Sequence, residues 1–102
     1  AEVGGYMMDQ LSALKEHSMV KEVRGIGMLA GIELTKDKAT GESFDYGDPK
    51  VKSLSEKMIN KGLLTRAEPY IYISPPLSIT REEVDEMVGI IGESITEVES
   101  EE

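Results

Sequence analysis

Three stretches of the chain carry apolar residues at the three-and-four spacing of an amphipathic helix. The first lies near the start of the chain, the second in its middle, and the third near its end. Their apolar stripes are Val3, Tyr6, Met7, Leu11 and Leu14; Val51, Leu54 and Met58; and Val84, Met87, Val88, Ile91, Ile95 and Val98. Each stripe predicts a helix that buries one face.

Local signals mark the ends of the second and third helices. Asp48 followed by Pro49 is typical of an N-cap and the first helical residue, and Gly62 ends the stripe of that helix. Thr80 and Glu83 have the spacing of a capping box, in which each side chain binds the backbone N–H of the other residue. Both helices are therefore predicted with defined starts.

A different period appears after the first helix. From Met28 to Leu34 apolar and other residues alternate, which is the pattern of a strand with one buried face. With residues 21 to 24 and a Gly25-Ile26-Gly27 turn, this strand predicts a β-hairpin. Residues 35 to 47 are charged and rich in turn formers, so they predict a surface loop.

Two further short strands are predicted at Leu63 to Arg66 and Tyr70 to Ser74, and Pro75-Pro76 prevents the second from continuing. Strands joined by short turns favour antiparallel pairing, with helices collected on one side. The predicted fold class is α+β: a small antiparallel sheet of about four strands with three helices packed mainly on one face. The other face would meet a second domain or a substrate in a larger enzyme, and solvent in a free-standing module.

The length of 102 residues predicts one small core. We expect residues 1–98 to form one domain, and residues 99–102 an acidic frayed tail, with fraying from Glu97 onward. The chain begins at Ala1, inside a helical pattern. We interpret this start as a domain excised from a longer polypeptide, although processing or cloning would give the same end.

Composition argues against several classes of partner. There are 20 acidic and 11 basic residues, and the formal charge of −9 repels the phosphates of nucleic acids. No apolar run approaches the ~20 residues of a membrane span, and no signal peptide is evident. The chain has no cysteine, which fits the cytoplasm, and a single histidine argues against a zinc site.

Other candidate motifs have simpler explanations. Residues 25 to 30, GIGMLA, match the G-x-G-x-x-A form of the dinucleotide fingerprint, but a strand pattern follows where a helix is required. The carboxylates between Glu82 and Glu86 lie in the first turn of a helix, where the dipole favours negative charge. The acidic loop lacks the ligand spacing of a calcium site, and His17 is interpreted as a helix-end residue. No catalytic, metal-binding or cofactor-binding residue is assigned.

Arg66 is the candidate binding residue. It lies between an apolar strand and a turn, where its guanidinium could bind a carboxylate through two parallel hydrogen bonds. A surface arginine paired with Glu68, or lying along its strand, explains the residue equally well. Tyr70 and Tyr72 could line the same surface, although tyrosines on short strands more often serve packing.

Two blocks of sequence carry a resemblance to a known family. The stretch from His17 to Asp45, HSMVKEVRGIGMLAGIELTKDKATGESFD, resembles the C-terminal domain of class III aminotransferases. GLLTR, followed after a short gap by SPPLSITREEVDEM, is similar to the end of the same enzymes, and so is the spacing between the blocks. The resemblance runs from about residue 1 to Val98.

The resemblance implies a fold type I enzyme dependent on pyridoxal 5'-phosphate. A large domain of the same chain would hold the cofactor, the Schiff-base lysine and the cofactor-binding aspartate, and the present domain would close over the substrate. Lys57 and Lys61 are then solvated helix residues without a catalytic role, and the 102 residues alone are expected to bind no cofactor and to be inactive. A homodimer or a dimer of dimers is implied for the whole enzyme.

The same resemblance implies a role for Arg66. It aligns with the arginine that binds the substrate carboxylate in the amine:pyruvate, or omega-aminotransferase, branch, whereas the ornithine branch has its arginine where this chain has Tyr72. The implied reaction is ping-pong transfer of an amino group between an amine or omega-amino acid and a keto acid such as pyruvate. The alternative is a stand-alone α+β ligand-binding or regulatory module without catalysis.

Overall fold

Helices and strands form where the two apolar periods predict them. A computed structural model describes residues 2–26, 29–44, 48–63, 70–74 and 78–100. Within these ranges the order is α1 (Glu2–Ser12), a 3₁₀ turn (Ala13–Glu16), β1 (Val20–Ile26), β2 (Leu29–Leu34), α2 (Pro49–Asn60), β3 (Tyr70–Ile73) and α3 (Arg81–Glu99). His17 follows the 3₁₀ turn directly, which confirms it as a helix-end residue.

The predicted helix caps are confirmed. The carboxylate of Asp48 accepts a hydrogen bond from the backbone N–H of Lys50 at 2.9 Å, with Pro49 as the first residue of α2. At the start of α3, the Thr80 hydroxyl accepts from the Glu83 N–H at 3.1 Å, and the Glu83 carboxylate accepts from the Thr80 N–H at 3.0 Å. Each cap satisfies backbone donors that the first turn of a helix leaves without a helical partner.

The core lies between the sheet and the helices, and the strand alternation decides which side chains enter it. Ala30, Ile32 and Leu34 of β2 are buried, while Gly31 and Glu33 between them are partly exposed. The helices contribute the buried stripes predicted for them, except that Tyr6 and Val88 are only partly buried and the side chain of Val3 lies outside the described ones. The large side chains that are fully buried include Met7, Leu11, Leu54, Met58, Ile71, Ile91 and Ile95.

The three described strands form one antiparallel sheet in the order β1-β2-β3. Ile26 pairs with Leu29 across the hairpin, so Gly25 and Ile26 belong to β1. The prediction of a turn at Gly25-Ile26-Gly27 is therefore wrong for its first two residues, because both still pair with β2. Among the described residues, the strand β2 comes next, where the dinucleotide fingerprint requires a helix, and this confirms the rejection of that motif.

A β-bulge interrupts the pairing at the start of β1. Val20 faces Leu34 and Glu22 faces Glu33, so Lys21 is the extra residue of β1 at this point. In a regular strand, residues three apart point to opposite faces. Because of the bulge, Val20 and Val23 are both buried in the same core.

The α+β architecture is confirmed, with the core helices collected against one face of the sheet. Three of about four predicted strands fall in the described residues. The remaining one, Leu63 to Arg66, lies outside them except for Leu63. The assignment of residues 1–98 to one domain stays a prediction.

The last helix includes part of the acidic end of the chain. α3 continues to Glu99, the first residue of the predicted tail, but a helical conformation is no test of fraying, so the frayed tail stays a prediction. Lys61 forms an ion pair with Glu97 at 2.9 Å, and Glu99 is bound to the start of β1. Tertiary partners therefore hold the last turn of α3.

Two glycines in α3 allow a paired test of this packing. A methyl group added at Gly89 would have no atom within 4 Å, whereas one at Gly92 would lie 3.2 Å from Cδ2 of the buried Leu14. We expect Gly89→Ala to raise the free energy of unfolding by about 0.5–1 kcal/mol, because alanine favours the helix. Gly92→Ala should gain less or lose stability, since Leu14 must move. Urea denaturation of both variants measures the difference, and equal stabilisation would contradict the described approach of α3 to Leu14.

Candidate functional site

The predicted binding residue, Arg66, lies outside the described residues, as do Pro75 and Pro76. The structure describes the two ends of the connection that contains Arg66. α2 ends at Asn60, and two residues later Gly62 has a φ of 97°, a conformation that glycine adopts readily. β3 begins at Tyr70. The carboxylate-binding role of Arg66 therefore stays a prediction.

The face of the sheet opposite the core is the candidate functional surface. Alternation along the strands and the pairing register place six residues on it in two rows. We call it the open face, and its rows are Glu22, Glu33 and Tyr70, and Arg24, Gly31 and Tyr72. Five of the six residues line a hollow: Arg24, Gly31, Glu33, Tyr70 and Tyr72.

Gly31 forms the floor of this hollow. It lies in the central described strand between Arg24 and Tyr72, and with no side chain of its own it leaves a depression in the sheet. The ring of Tyr72 lies close to Gly31: a Cβ atom added at Gly31 would be 3.5 Å from Cε1 of that ring. The hollow has a volume of about 410 Å³.

Aromatic and charged groups form the rim. Tyr72 is 63% exposed, although tyrosine rings usually bury much of their area, and its ring centroid lies 4.8 Å from that of Tyr70. The side chain of Arg24 is 79% exposed. Tyr72 is therefore a surface residue, and the expectation that it shares a surface with Arg66 stays a prediction.

The charges around the open face neutralise one another in pairs. Glu33 lies 3.5 Å from the ammonium of Lys21 and 3.9 Å from the guanidinium of Arg24. Glu22 lies 3.0 Å from the ammonium of Lys15. A hydrogen bond from Lys15 and another from the Val23 N–H lower the pKa of the Glu22 carboxyl. Both carboxylates therefore have basic side chains beside them, although the whole chain carries a charge of −9.

Sequence reasoning did not identify Arg24, Gly31 or Glu33 as members of one surface. In the sequence, these residues share one property: each alternates with the buried residues of its strand and so lies on the opposite side. The extra residue at Lys21 hides this pattern in β1, because it shifts the alternation by one. Pairing with β3 then adds the tyrosines, and no local sequence pattern shows that pairing.

A second polar cluster joins the end of α3 to the start of β1. The Glu99 carboxylate accepts hydrogen bonds from the Ser18 hydroxyl at 2.6 Å and the Met19 N–H at 3.0 Å, and it lies 3.1 Å from Nδ1 of His17. Burial alone would raise the pKa of Glu99, but the bonds from Ser18, His17 and Met19 outweigh it, so its pKa is lowered. This cluster joins two distant parts of the chain, and Ser18, Met19 and Glu99 also line a second hollow, together with residues that include Lys36 and Asp48.

Metal and membrane features were also sought in the part of the chain that the structure describes. There, no three potential acidic, histidine or cysteine ligands come together in a way that could hold a metal ion. Over the same residues, no helix has both the length and the apolar character needed to cross a membrane.

Comparison with known proteins matches almost the whole chain. The family model described as aminotransferase class-III matches residues 1–95. The diaminobutyrate–2-oxoglutarate transaminase of Halomonas elongata is 34% identical over 102 residues, and the match covers 96% of this chain and 22% of the relative. The putrescine–pyruvate aminotransferase of Pseudomonas aeruginosa is 39% identical over 91 residues, with 88% and 20% covered.

A solved structure agrees in fold. The crystal structure of an (S)-enantioselective omega-transaminase from Thermomicrobium roseum superposes with a TM-score of 0.87 at 32% identity, covering 96% of this chain and 22% of that one. The chain thus spans about a fifth of the length of the proteins that it matches.

Proposed function

Because the chain belongs to the class III aminotransferases, we propose that it serves as the C-terminal, substrate-closing domain of a larger enzyme of this family. The enzyme transfers an amino group between an amine or omega-amino acid and a keto acid such as pyruvate. The observation that carries the proposal is the match itself, which covers nearly all of this chain and about a fifth of its relatives. The remaining four-fifths would supply the large domain.

The choice of substrate class rests on Arg66 and on two of the comparisons. Relatives named as an omega-transaminase and as a putrescine–pyruvate aminotransferase favour an amine donor with pyruvate as acceptor. A relative named for 2-oxoglutarate is of similar identity, so a dicarboxylic acceptor is the competing substrate. Both acceptors carry the 2-keto carboxylate that a bidentate arginine would bind.

Pyridoxal phosphate, when bound, supplies the carbonyl group that takes up and releases the amino group. The described residues do not by themselves form a site for it. The hollow on the open face has no lysine in its described lining, and Lys15, Lys21, Lys36 and Lys61 each lie within 4 Å of a carboxylate. Lys61 is only 24% exposed in its side chain, so the expectation that it is solvated is wrong. The proposal therefore assigns the cofactor site to the large domain.

The part proposed for this chain is binding and orientation. Arg66 would hold the substrate carboxylate, and the domain would exclude water when it closes, which places the reacting amino or keto carbon without taking part in the chemistry. A homodimer or dimer of dimers and a cytoplasmic location belong to the same proposal for the longer enzyme.

Cofactor retention tests the proposal. The longer protein should keep the absorbance band of pyridoxal phosphate through gel filtration and should transfer amino groups from an amine to pyruvate or 2-oxoglutarate. The 102-residue chain, mixed with the cofactor and filtered in the same way, should lose the band. A band that stays with the 102-residue chain, or a longer protein that never binds the cofactor, would overturn the proposal and favour a non-catalytic module.

A further inference from the structure

β1 lies at the edge of the sheet that the described strands form. It pairs with β2 on one side, and no other described strand pairs with it. A strand in this position presents backbone N–H and C=O groups that a strand of another molecule could bind, so native proteins usually block such edges. We call the side of β1 that points away from β2 the free edge.

The bulge limits where a further strand could pair with the free edge. Lys21 is the extra residue of β1, and a regular ladder of hydrogen bonds does not continue across such a residue. A strand added to the free edge would therefore pair from Glu22 to Ile26. Within that range only every second residue directs its backbone groups outward, because the hydrogen bonds of an antiparallel pair alternate.

Glu22 occupies one of these outward backbone donors. Its Oε1 atom accepts a hydrogen bond from the Val23 N–H at 3.1 Å and lies 3.0 Å from Nζ of Lys15. Because the Val23 N–H donates to a side chain and not to β2, this donor lies on the free edge. Lys15 belongs to the 3₁₀ turn, which packs against β1, so a second element holds the carboxylate over the donor.

Val23 is also the residue at which two copies of the chain would pair most simply. In an antiparallel ladder, two residues that face each other can exchange both of their N–H···O=C bonds. Two β1 strands related by a twofold axis at Val23 would make this exchange between identical residues. The free edge is thus self-complementary at Val23, and the bond from the Val23 N–H to Glu22 prevents the exchange.

From this geometry we propose that Glu22 keeps the free edge of β1 closed to the β1 strand of a second copy. The Val23 N–H cannot donate fully both to the carboxylate and to the carbonyl of a partner. Loss of the carboxylate would therefore free this N–H for strand pairing. The proposal is independent of the proposed function, since it requires neither a substrate nor a cofactor.

Two glutamate substitutions in the 102-residue chain test the proposal. Glu22→Ala removes the carboxylate from the free edge, and Glu33→Ala removes one from β2, inside the sheet. The two side chains are 39% and 35% exposed, each lies near a lysine, and each substitution makes the charge of −9 less negative by one. Glu33→Ala is therefore a matched control for exposure and charge.

Sedimentation equilibrium measures the dimer dissociation constant of both variants. The constant should be at least about tenfold lower for Glu22→Ala than for Glu33→Ala, because the loss of a hydrogen bond to a charged group corresponds to about that factor. Equal constants for the two variants would overturn the proposal.

Glu22→Gln separates the hydrogen bond from the charge. The amide oxygen of glutamine can still accept from the Val23 N–H, so this variant should form dimers less readily than Glu22→Ala. Dimers as stable as those of Glu22→Ala would show that charge repulsion, and not the bond to Val23, keeps the copies apart. That result would overturn the proposal.

Amide hydrogen exchange locates the contact and decides the question if Glu22→Ala does not fold. In Glu22→Ala the Val23 N–H should exchange more slowly in concentrated than in dilute solution, since a partner's carbonyl then protects it; dimers without this change would have another interface. Lys15→Ala alters a side chain that is 49% exposed and leaves Glu22 in place. The Val23 N–H should exchange faster in this variant, because the carboxylate is held less firmly. An unchanged rate in Lys15→Ala, or dimers with another interface in Glu22→Ala, would overturn the proposal.

Discussion

Arg66→Ala in the longer enzyme should raise the KM for the keto acid by about 10- to 100-fold and leave the KM for simple amines unchanged. A hydrogen-bonded charge pair contributes about 1.5–3 kcal/mol, and each 1.4 kcal/mol is a factor of ten. The substrate that carries a carboxylate loses this contribution, and an amine without one never had it. Steady-state kinetics with each substrate varied in turn measures the split.

Two further variants separate binding from general damage. Arg66→Lys keeps the charge but not the paired geometry of a guanidinium, so its KM for the keto acid should lie between those of the wild type and Arg66→Ala. Arg81→Ala removes an arginine at the start of α3, where the guanidinium lies 5.0 Å from the centre of the Tyr6 ring. This control should leave both Michaelis constants unchanged. Equal losses for keto acid and amine in Arg66→Ala would show that Arg66 does not select for a carboxylate.

Glu99→Ala should lower the free energy of unfolding by about 2 kcal/mol. The substitution removes the acceptor for Ser18 and Met19 and the partner of His17, and it leaves a backbone N–H near the core without its bond. Hydrogen bonds to a charged group contribute about 1.5–3 kcal/mol when buried, and the 20% exposure of this side chain reduces their sum. Urea denaturation at neutral pH measures the loss, and a change under 0.5 kcal/mol would contradict the role assigned to the cluster.

The pH dependence of the same site has a definite sign. The pKa of Glu99 is lower in the folded chain than its ordinary value of about 4.3, so ionisation of Glu99 stabilises the fold. This contribution is complete above the unfolded-state pKa and is lost as the pH falls through the folded-state pKa. Glu99→Gln keeps an oxygen acceptor but cannot ionise. The stability difference between wild type and Glu99→Gln should therefore shrink in acid, and a difference that grows would refute the assignment.

The sequence was most informative where one local signal agreed with the next. In α3, the capping pair Thr80 and Glu83 and the apolar stripe from Val84 to Val98 lie on one continuous element, so a period and a cap suffice to predict it. The same holds for α2, which begins after Asp48. The alternation in β2 also predicted correctly that Ala30, Ile32 and Leu34 are buried.

Contacts between distant parts of the chain could not be predicted in this way. Glu99 belongs to an acidic run that predicts fraying, and what holds it is a group of donors about 80 residues earlier. The open face also depends on residues that are distant in the sequence, because Gly31 becomes the floor of a hollow only when Arg24 and Tyr72 pair on either side of it. Arg66 became a candidate through its position between an apolar stretch and a turn, and the family resemblance then favoured carboxylate binding over a surface ion pair.

The extra residue in β1 makes the pairing before it independent of the pairing after it. Before Lys21, Val20 pairs with Leu34; after Lys21, Arg24 pairs with Gly31, in a register shifted by one residue. Relatives could therefore change the entry to the hairpin without shifting which residues lie on the open face. Removal of that single residue would reverse the inward and outward sets on one side of it, so a one-residue gap at this place in a homologue should coincide with exchanged polarity in the neighbouring positions.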